Sequence, residues 1–233
     1  MVRLIDILEK FIEGMREDNP FGLVLKGGTA LAIHHLPGHR ESEDLDFDVP
    51  VGLRNKNSEV IAYLKERLER LKVGGIIKEF EIPKAEFAST DRYHMTVLLS
   101  THIKYRTKID LNYKPIPEDL ELEGQLRFYT SERTLVDKLL TFASRAELKD
   151  FYDISMLLDR VRAETFKEPE KVAKLVDLVL GKSAYGVVVT KFKKELMTAD
   201  LKFRNLKCAG IESFVTRTNR NLRKFRNELA KRT

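Results

Sequence analysis

The 233-residue sequence contains one cysteine, Cys208, and no tryptophan. A single cysteine excludes an intramolecular disulfide framework and any metal site built from a cysteine cluster. A chain without disulfides suits a reducing cytoplasm, and a cytoplasmic location is the expectation. No uncharged apolar run approaches the roughly 18 residues of a membrane span, so no membrane partner is expected. The opening stretch MVRLIDILEKFIEGMRED scatters acids through its apolar pattern, unlike a secretory leader. Neither Gly-x-Ser-x-Gly nor a Cys–His nucleophile arrangement occurs. A Walker A loop is missing too, because Lys26 precedes its glycines instead of following them. Internal repeats and low-complexity tracts are absent.

What is present is charge. Hydrophobic residues make up 42% and charged residues 33%, the balance of a globular chain with enough apolar material for one or two cores. The net charge of +6 is unevenly spread. Arg160 to Thr233 holds nineteen Lys and Arg against eight Asp and Glu, and the preceding residues hold 23 against 28. The acidic part would attract cations and the basic part a polyanion, although solvated lysine-rich helix faces give the same count.

Leu4, Ile7, Leu8, Phe11, Ile12 and Met15 repeat at helical spacing, and Asn19-Pro20-Phe21-Gly22 ends that pattern. Leu23 to Leu25 reads as a strand running into Lys26-Gly27-Gly28-Thr29, then a helix over Ala30 to His35 that Pro37-Gly38 stops. Leu45, Phe47 and Val49 alternate with Asp44, Asp46 and Asp48, the pattern of a strand with one acidic face. A helix over Val60 to Leu71 is expected, with Ser58 as its N-cap. Strands follow over Ile76 to Ile82, Arg92 to Leu99 and Ile103 to Tyr113. A loop with Pro115 and Pro117 comes next, then a short strand at Leu126 to Phe128. Thr130-Ser131-Glu132 is cap chemistry, and the pattern beyond it is helical. The expected fold is α+β: strands and helices over residues 1–128, followed by an all-helical domain over 129–233.

Asp44 and Asp46, two apart on a strand, project from one face. Like charges so close repel unless a cation lies between them, and magnesium favours one or two carboxylates plus substrate phosphates. Asp110, between Ile109 and Leu111 on a later strand, joins them if the two strands are neighbours. Two such ions held by three acids could bridge an attacking oxygen and a leaving phosphate. A solvent-exposed strand with alternating acids would read the same, and Asp48 has the look of a merely solvated residue. Gly27-Gly28-Thr29, between strand and helix, allows close backbone approach, free N–H groups and a hydroxyl for phosphate, or is a plain turn. His34, His35 and His39 do not have zinc-site spacing.

Two stretches in this order, Lys26-Gly27-Gly28-Thr29-Ala30-Leu31 and Arg40-Glu41-Ser42-Glu43-Asp44-Leu45-Asp46-Phe47, resemble the polymerase-beta-like nucleotidyltransferases. More narrowly they resemble the AbiEii/AbiGii toxins of type IV toxin–antitoxin systems. Thr134-Leu135-Val136-Asp137-Lys138-Leu139-Leu140 and Arg145-Ala146-Glu147-Leu148-Lys149-Asp150-Phe151-Tyr152-Asp153 are similar to that family's downstream motifs. The resemblance covers about residues 23 to 160. It implies a polymerase-beta-like core, a mixed sheet flanked by helices, and the transfer of a nucleoside monophosphate from a nucleoside triphosphate to an acceptor hydroxyl. It gives metal-holding and catalytic roles to Asp44, Asp46 and Asp110, with magnesium or manganese as the ion. Gly27, Gly28, Thr29 and Lys138 would serve the triphosphate, Asp150 would border the nucleotide, and Ser42 would bond near the phosphates or orient its strand. Relatives extend the 3′ end of transfer RNA, which implies an RNA acceptor and a cognate antitoxin.

The C-terminal stretch supports such an acceptor. Ile211, Phe214, Val215, Leu222, Phe225 and Leu229 form one helical stripe, with Arg217, Arg220, Arg223, Lys224 and Arg226 around it. Lys191, Lys193, Lys194, Lys202, Arg204 and Lys207 add cations that a phosphate backbone would bind. Nucleotidylation of a protein side chain, and a catalytically inactive nucleotide- or RNA-binding module, remain open as rival readings. A DNA regulator would need a helix-turn-helix that the first half does not show.

Overall fold

The computed structural model describes residues 2–198, 203 and 206–232. Lys202 and Arg204 of the basic set lie outside the described residues. Contacts divide the chain into two compact units, Met1–His34 with Glu41–Thr130, and His35–Arg40 with Ser131–Thr233.

The first unit is a seven-stranded mixed sheet with helices on its apolar face. Its elements are α1 (Leu4–Glu17), β1 (Val24–Lys26), the short α2 (Gly27–Ala30) continued by a π turn, β2 (Leu45–Pro50), α3 (Asn57–Val73), β3 (Glu79–Ser89), β4 (Arg92–Ser100), β5 (Lys104–Lys114), β6 (Leu120–Glu123) and β7 (Leu126–Tyr129). The strand order is β3-β4-β5-β2-β1-β7-β6. β2 lies between β5, to which it is parallel, and β1, to which it is antiparallel. Because side chains alternate along a strand, Leu45, Phe47, Val49, Ile109, Leu111, Met95 and Val97 share one face. They pack with Ile7, Phe11, Met15, Leu64 and Leu68 from α1 and α3 in a single core. The opposite face carries the polar members of the same strands.

Three sequence expectations shift. Asn57, not Ser58, opens α3, after a 3-10 turn over Val51–Lys56. β3 starts three residues late, because the N–H groups of Ile76 and Ile77 still donate to the Leu71 carbonyl at the end of α3. It then runs on through Pro83 with an irregular register between Glu81 and Lys84, which an edge strand tolerates. β6, whose Leu-Glu alternation lies half-exposed at the other edge, was not foreseen.

The second unit is helical: α4 (Ser131–Arg145), α5 (Leu148–Leu157), α6 (Pro169–Lys182), α7 (Tyr185–Thr198) and α8 (Ile211–Ala230). Phe142, Phe151, Phe192 and Phe214 form its aromatic centre, with ring centroids 5.1–6.3 Å apart. The apolar stripe of α8 is buried as its spacing predicts, and Arg217, Arg220, Arg223 and Lys224 face outward. No helix among the described residues is long and apolar enough to cross a membrane.

Candidate active site

Register alone places the acids. Asp46 on β2 is paired with Asp110 on β5, so both side chains leave the same face of the sheet. The row continues through Lys26 on β1 and His94 on β4, giving Lys26–Asp46–Asp110–His94 across four strands. Asp44 stands just before β2, two residues from Asp46. Its backbone is fixed from two sides. The buried Thr29 hydroxyl donates to the Asp44 carbonyl and lies 3.0 Å from Ser42 Oγ, while Thr107 Oγ1 donates to the Glu43 carbonyl at 2.5 Å. Thr29 and Ser42 are thus both buried and hold the approach to the acidic strand.

Gly27 has φ +73°, a left-handed backbone that suits glycine. A β-carbon there would fall 2.5 Å from Asp46 Oδ2, so the Gly27-Gly28 turn lies directly against that carboxylate. Asp110 is occupied on both oxygens: Arg92 Nη2 donates to Oδ2 at 2.6 Å and His94 Nδ1 lies 2.7 Å from Oδ1. Burial would raise the Asp110 carboxyl, but these two bonds outweigh it and hold the group below the usual carboxylate range. Among the described residues the three acids do not close into one tight ligand cluster; Asp110 is turned to its own partners. Their chemistry still suits a hard divalent ion, since all three are carboxylates, Asp46 and Asp110 share one face of the sheet, and the glycine turn leaves backbone-only surface beside Asp46.

Asp48 corrects the expectation of a solvated residue. It is fully buried, with Lys26 Nζ and Lys114 Nζ each 2.5 Å from a different carboxylate oxygen and Tyr129 donating at 2.6 Å. Nothing in the alternating pattern distinguishes it from an exposed acid.

In the helical unit, Lys138 and Asp150 are brought together in a buried ionic cluster. Lys138 Nζ lies 2.7 Å from Asp153 Oδ2 and 3.3 Å from Asp150 Oδ1. Arg145 donates to both oxygens of Asp150, at 2.7 and 3.0 Å. Arg40 grips Asp153 with two bonds of 2.7 and 2.8 Å, and His39 adds a third contact at 2.9 Å. Burial would raise Asp153, yet Lys138, Arg40 and His39 hold its carboxyl well below the usual range. His34 stacks on Phe128 between Glu121 and Glu123, and His35 lies 3.2 Å from Ser131 Oγ.

The model of the nucleotidyl transferase AbiEii toxins of type IV toxin–antitoxin systems matches residues 15–220. The chain belongs to the AbiEii family. It is therefore a nucleotidyltransferase of a toxin–antitoxin system, with a nucleotide substrate and an antitoxin partner. No curated protein matches the sequence. Two crystal structures from Helicobacter pylori share the fold. JHP933 is 18% identical with a TM-score of 0.72, over 98% of this chain and 93% of its own. The other, provisionally described as a nucleotidyltransferase, is 19% identical with a TM-score of 0.72, over 97% and 95%. Sequence reasoning missed Arg92, His94, Thr107, Lys114 and Tyr129 around the acids of this AbiEii chain. Lys26 carried a signal only as the neighbour of the glycine turn, and Asp48 carried none.

Proposed function

We propose that this AbiEii-family chain transfers a nucleoside monophosphate from a nucleoside triphosphate to the 3′ hydroxyl of transfer RNA, releasing pyrophosphate. The observation that carries the reading is the in-register pair of Asp46 and Asp110 with the Gly27 turn against Asp46. Asp44, Asp46 and Asp110 would hold magnesium or manganese, which when bound offsets the charge of the phosphates and of the oxygen being transferred to. Gly27 and Gly28 let the phosphates approach the backbone. Thr29 and Ser42 set the position of Asp44. Asp110, fixed by Arg92 and His94, orients the acceptor hydroxyl for in-line attack on the α-phosphorus, where the new oxygen–phosphorus bond forms as the hydroxyl proton is lost to solvent and the bond to pyrophosphate breaks. The resemblance also implies nucleotide-serving roles for Lys138 and Asp150, which the helical unit encloses in its buried ionic cluster. The outward cations of α8 favour an RNA acceptor, since a polyanion gains from several of them at once.

The test offers each of the four labelled triphosphates with total transfer RNA and magnesium or manganese. Label should join the RNA 3′ end. Asp46→Asn should lower incorporation by more than about a hundredfold with an unchanged circular dichroism spectrum. Undiminished incorporation in that variant overturns the metal assignment, and label on protein instead of RNA overturns the acceptor.

A further inference from the structure

We propose that Lys26 and Lys114, held in place by the buried Asp48 and Tyr129, bind the phosphate tail of the incoming nucleoside triphosphate. The inference rests on the nucleotidyltransferase reading and names a part of the site outside the acid motif. One ammonium neutralises an enclosed carboxylate; Asp48 has two, one on each oxygen, both at 2.5 Å. The trio therefore carries a net charge of +1 on the sheet face that also presents Asp46 and Asp110. Two ammonium groups gathered on one carboxylate repel each other, and Asp48 alone offers no reason for the second.

Asp48 has no exposed surface, while the side chains of Lys26 and Lys114 are 25% and 35% exposed. The anion is sealed and the cations remain open to a ligand. Their donors are not exhausted either. Each ammonium has three N–H groups, and Asp48 Oδ1 accepts no well-directed hydrogen bond, so its contact with Lys26 is one of charge. Among the described residues Asp48 is the only carboxylate within ion-pair distance of either lysine. Lys114 also lies 5.2 Å from the centre of the Tyr129 ring, and the Tyr129 hydroxyl donates to Asp48, so one aromatic side chain fixes both the cation and its counter-ion.

Placement selects the ligand. Lys26 faces Asp46 across the β1–β2 pair and directly precedes the Gly27-Gly28 turn. Asp48 is one pleat beyond Asp46, and Lys114 pairs with Pro50 one pleat beyond that. A phosphate group beside Asp46 and the glycine turn thus has Lys26 next to it and Lys114 further along the same face. A linear chain of phosphates extends in that way. In this arrangement Asp48 and Tyr129 are positioning residues, and the two lysines touch substrate.

The test measures binding of inorganic pyrophosphate and of nucleoside triphosphate to the full chain with magnesium and no RNA. Lys114→Gln leaves Asp48 with Lys26 and Tyr129, so no buried charge is orphaned. This variant should bind both ligands about tenfold more weakly, with the KM for RNA unchanged and Lys114→Arg recovering most of the affinity. Lys26→Gln should act in the same direction. A lower melting temperature with unaltered affinity for both ligands overturns the proposal, because the lysines would then only neutralise Asp48. A raised KM for RNA with unaltered triphosphate affinity overturns it as well. Asp46→Asn, assayed in parallel, reports separately on the nucleotidyltransferase reading.

Discussion

At position 27 two demands meet that no residue other than glycine satisfies. The backbone is left-handed, which costs a residue with a β-carbon about 1–2 kcal/mol, and that carbon would strike Asp46 Oδ2. Gly75 isolates the first demand from the second, since its φ is +72° but nothing lies within 4 Å of the point a β-carbon would occupy. Gly75→Ala should therefore lower the melting temperature slightly and leave transfer activity intact. Gly27→Ala should lower stability further and reduce turnover more than about tenfold, because Asp46 must move. Thermal melts and initial rates on both variants check the contrast. The glycine turn was legible in the sequence. The contact with Asp46 was not, because it depends on the pairing of β1 with β2.

Helix α5 shows how an element can bury two acids. Asp150 and Asp153 are one turn apart on one face, and both have no exposed surface. Each is matched by cations from elsewhere in the helical unit: Arg145 and Lys138 from α4, Arg40 from residues 35–40. Removing one charge from such a cluster strands the others, a loss of about 3–5 kcal/mol. Asp153→Asn should show a loss of that size in denaturant melts at neutral pH. The sign of its pH dependence follows from the lowered carboxyl. With Asp153 well below its ordinary 3.8, its stabilisation is full above that value and fades as pH falls beneath it. The gap between parent and Asp153→Asn should thus narrow as melts are taken from pH 5 towards pH 2; a gap that widens contradicts the assignment. The motif Arg-x-x-x-Lys-Asp-x-x-Asp announced these residues, but their partners Arg40 and His39 lie more than a hundred positions away.

For the molecule as a whole, charge is divided between a sheet unit rich in acids and a helical unit rich in bases. Arg217, Arg220, Arg223 and Lys224 project from α8 while its apolar stripe is buried. If RNA binds there, added salt should raise the KM for RNA steeply and that for triphosphate much less. Arg217→Gln with Arg220→Gln should reduce the slope of log KM against log salt by about 0.7 per charge removed. Equal salt slopes for parent and double variant would place the RNA elsewhere. The two edges of the sheet were the least legible part of the fold. β3 and β6 bury little: β3 runs on past Ile82 through exposed residues, and the four-residue Leu-Glu alternation of β6 is too short to announce a strand.

The sequence by itself determined what depends on near neighbours: the amphipathic stripes of α1 and α8, the alternating strands β2, β4 and β5, the glycine turn, and the order of motifs that marks the family. Tertiary structure decided which of the similar aspartates are sealed by cations. Asp48 and Asp153 are buried because cations from distant strands and helices close over them, while Asp46 faces Asp110 because β2 runs beside β5. Spacing along the chain sets the direction of a side chain, but burial and ionic partnership are set by whichever segments the fold lays next to it.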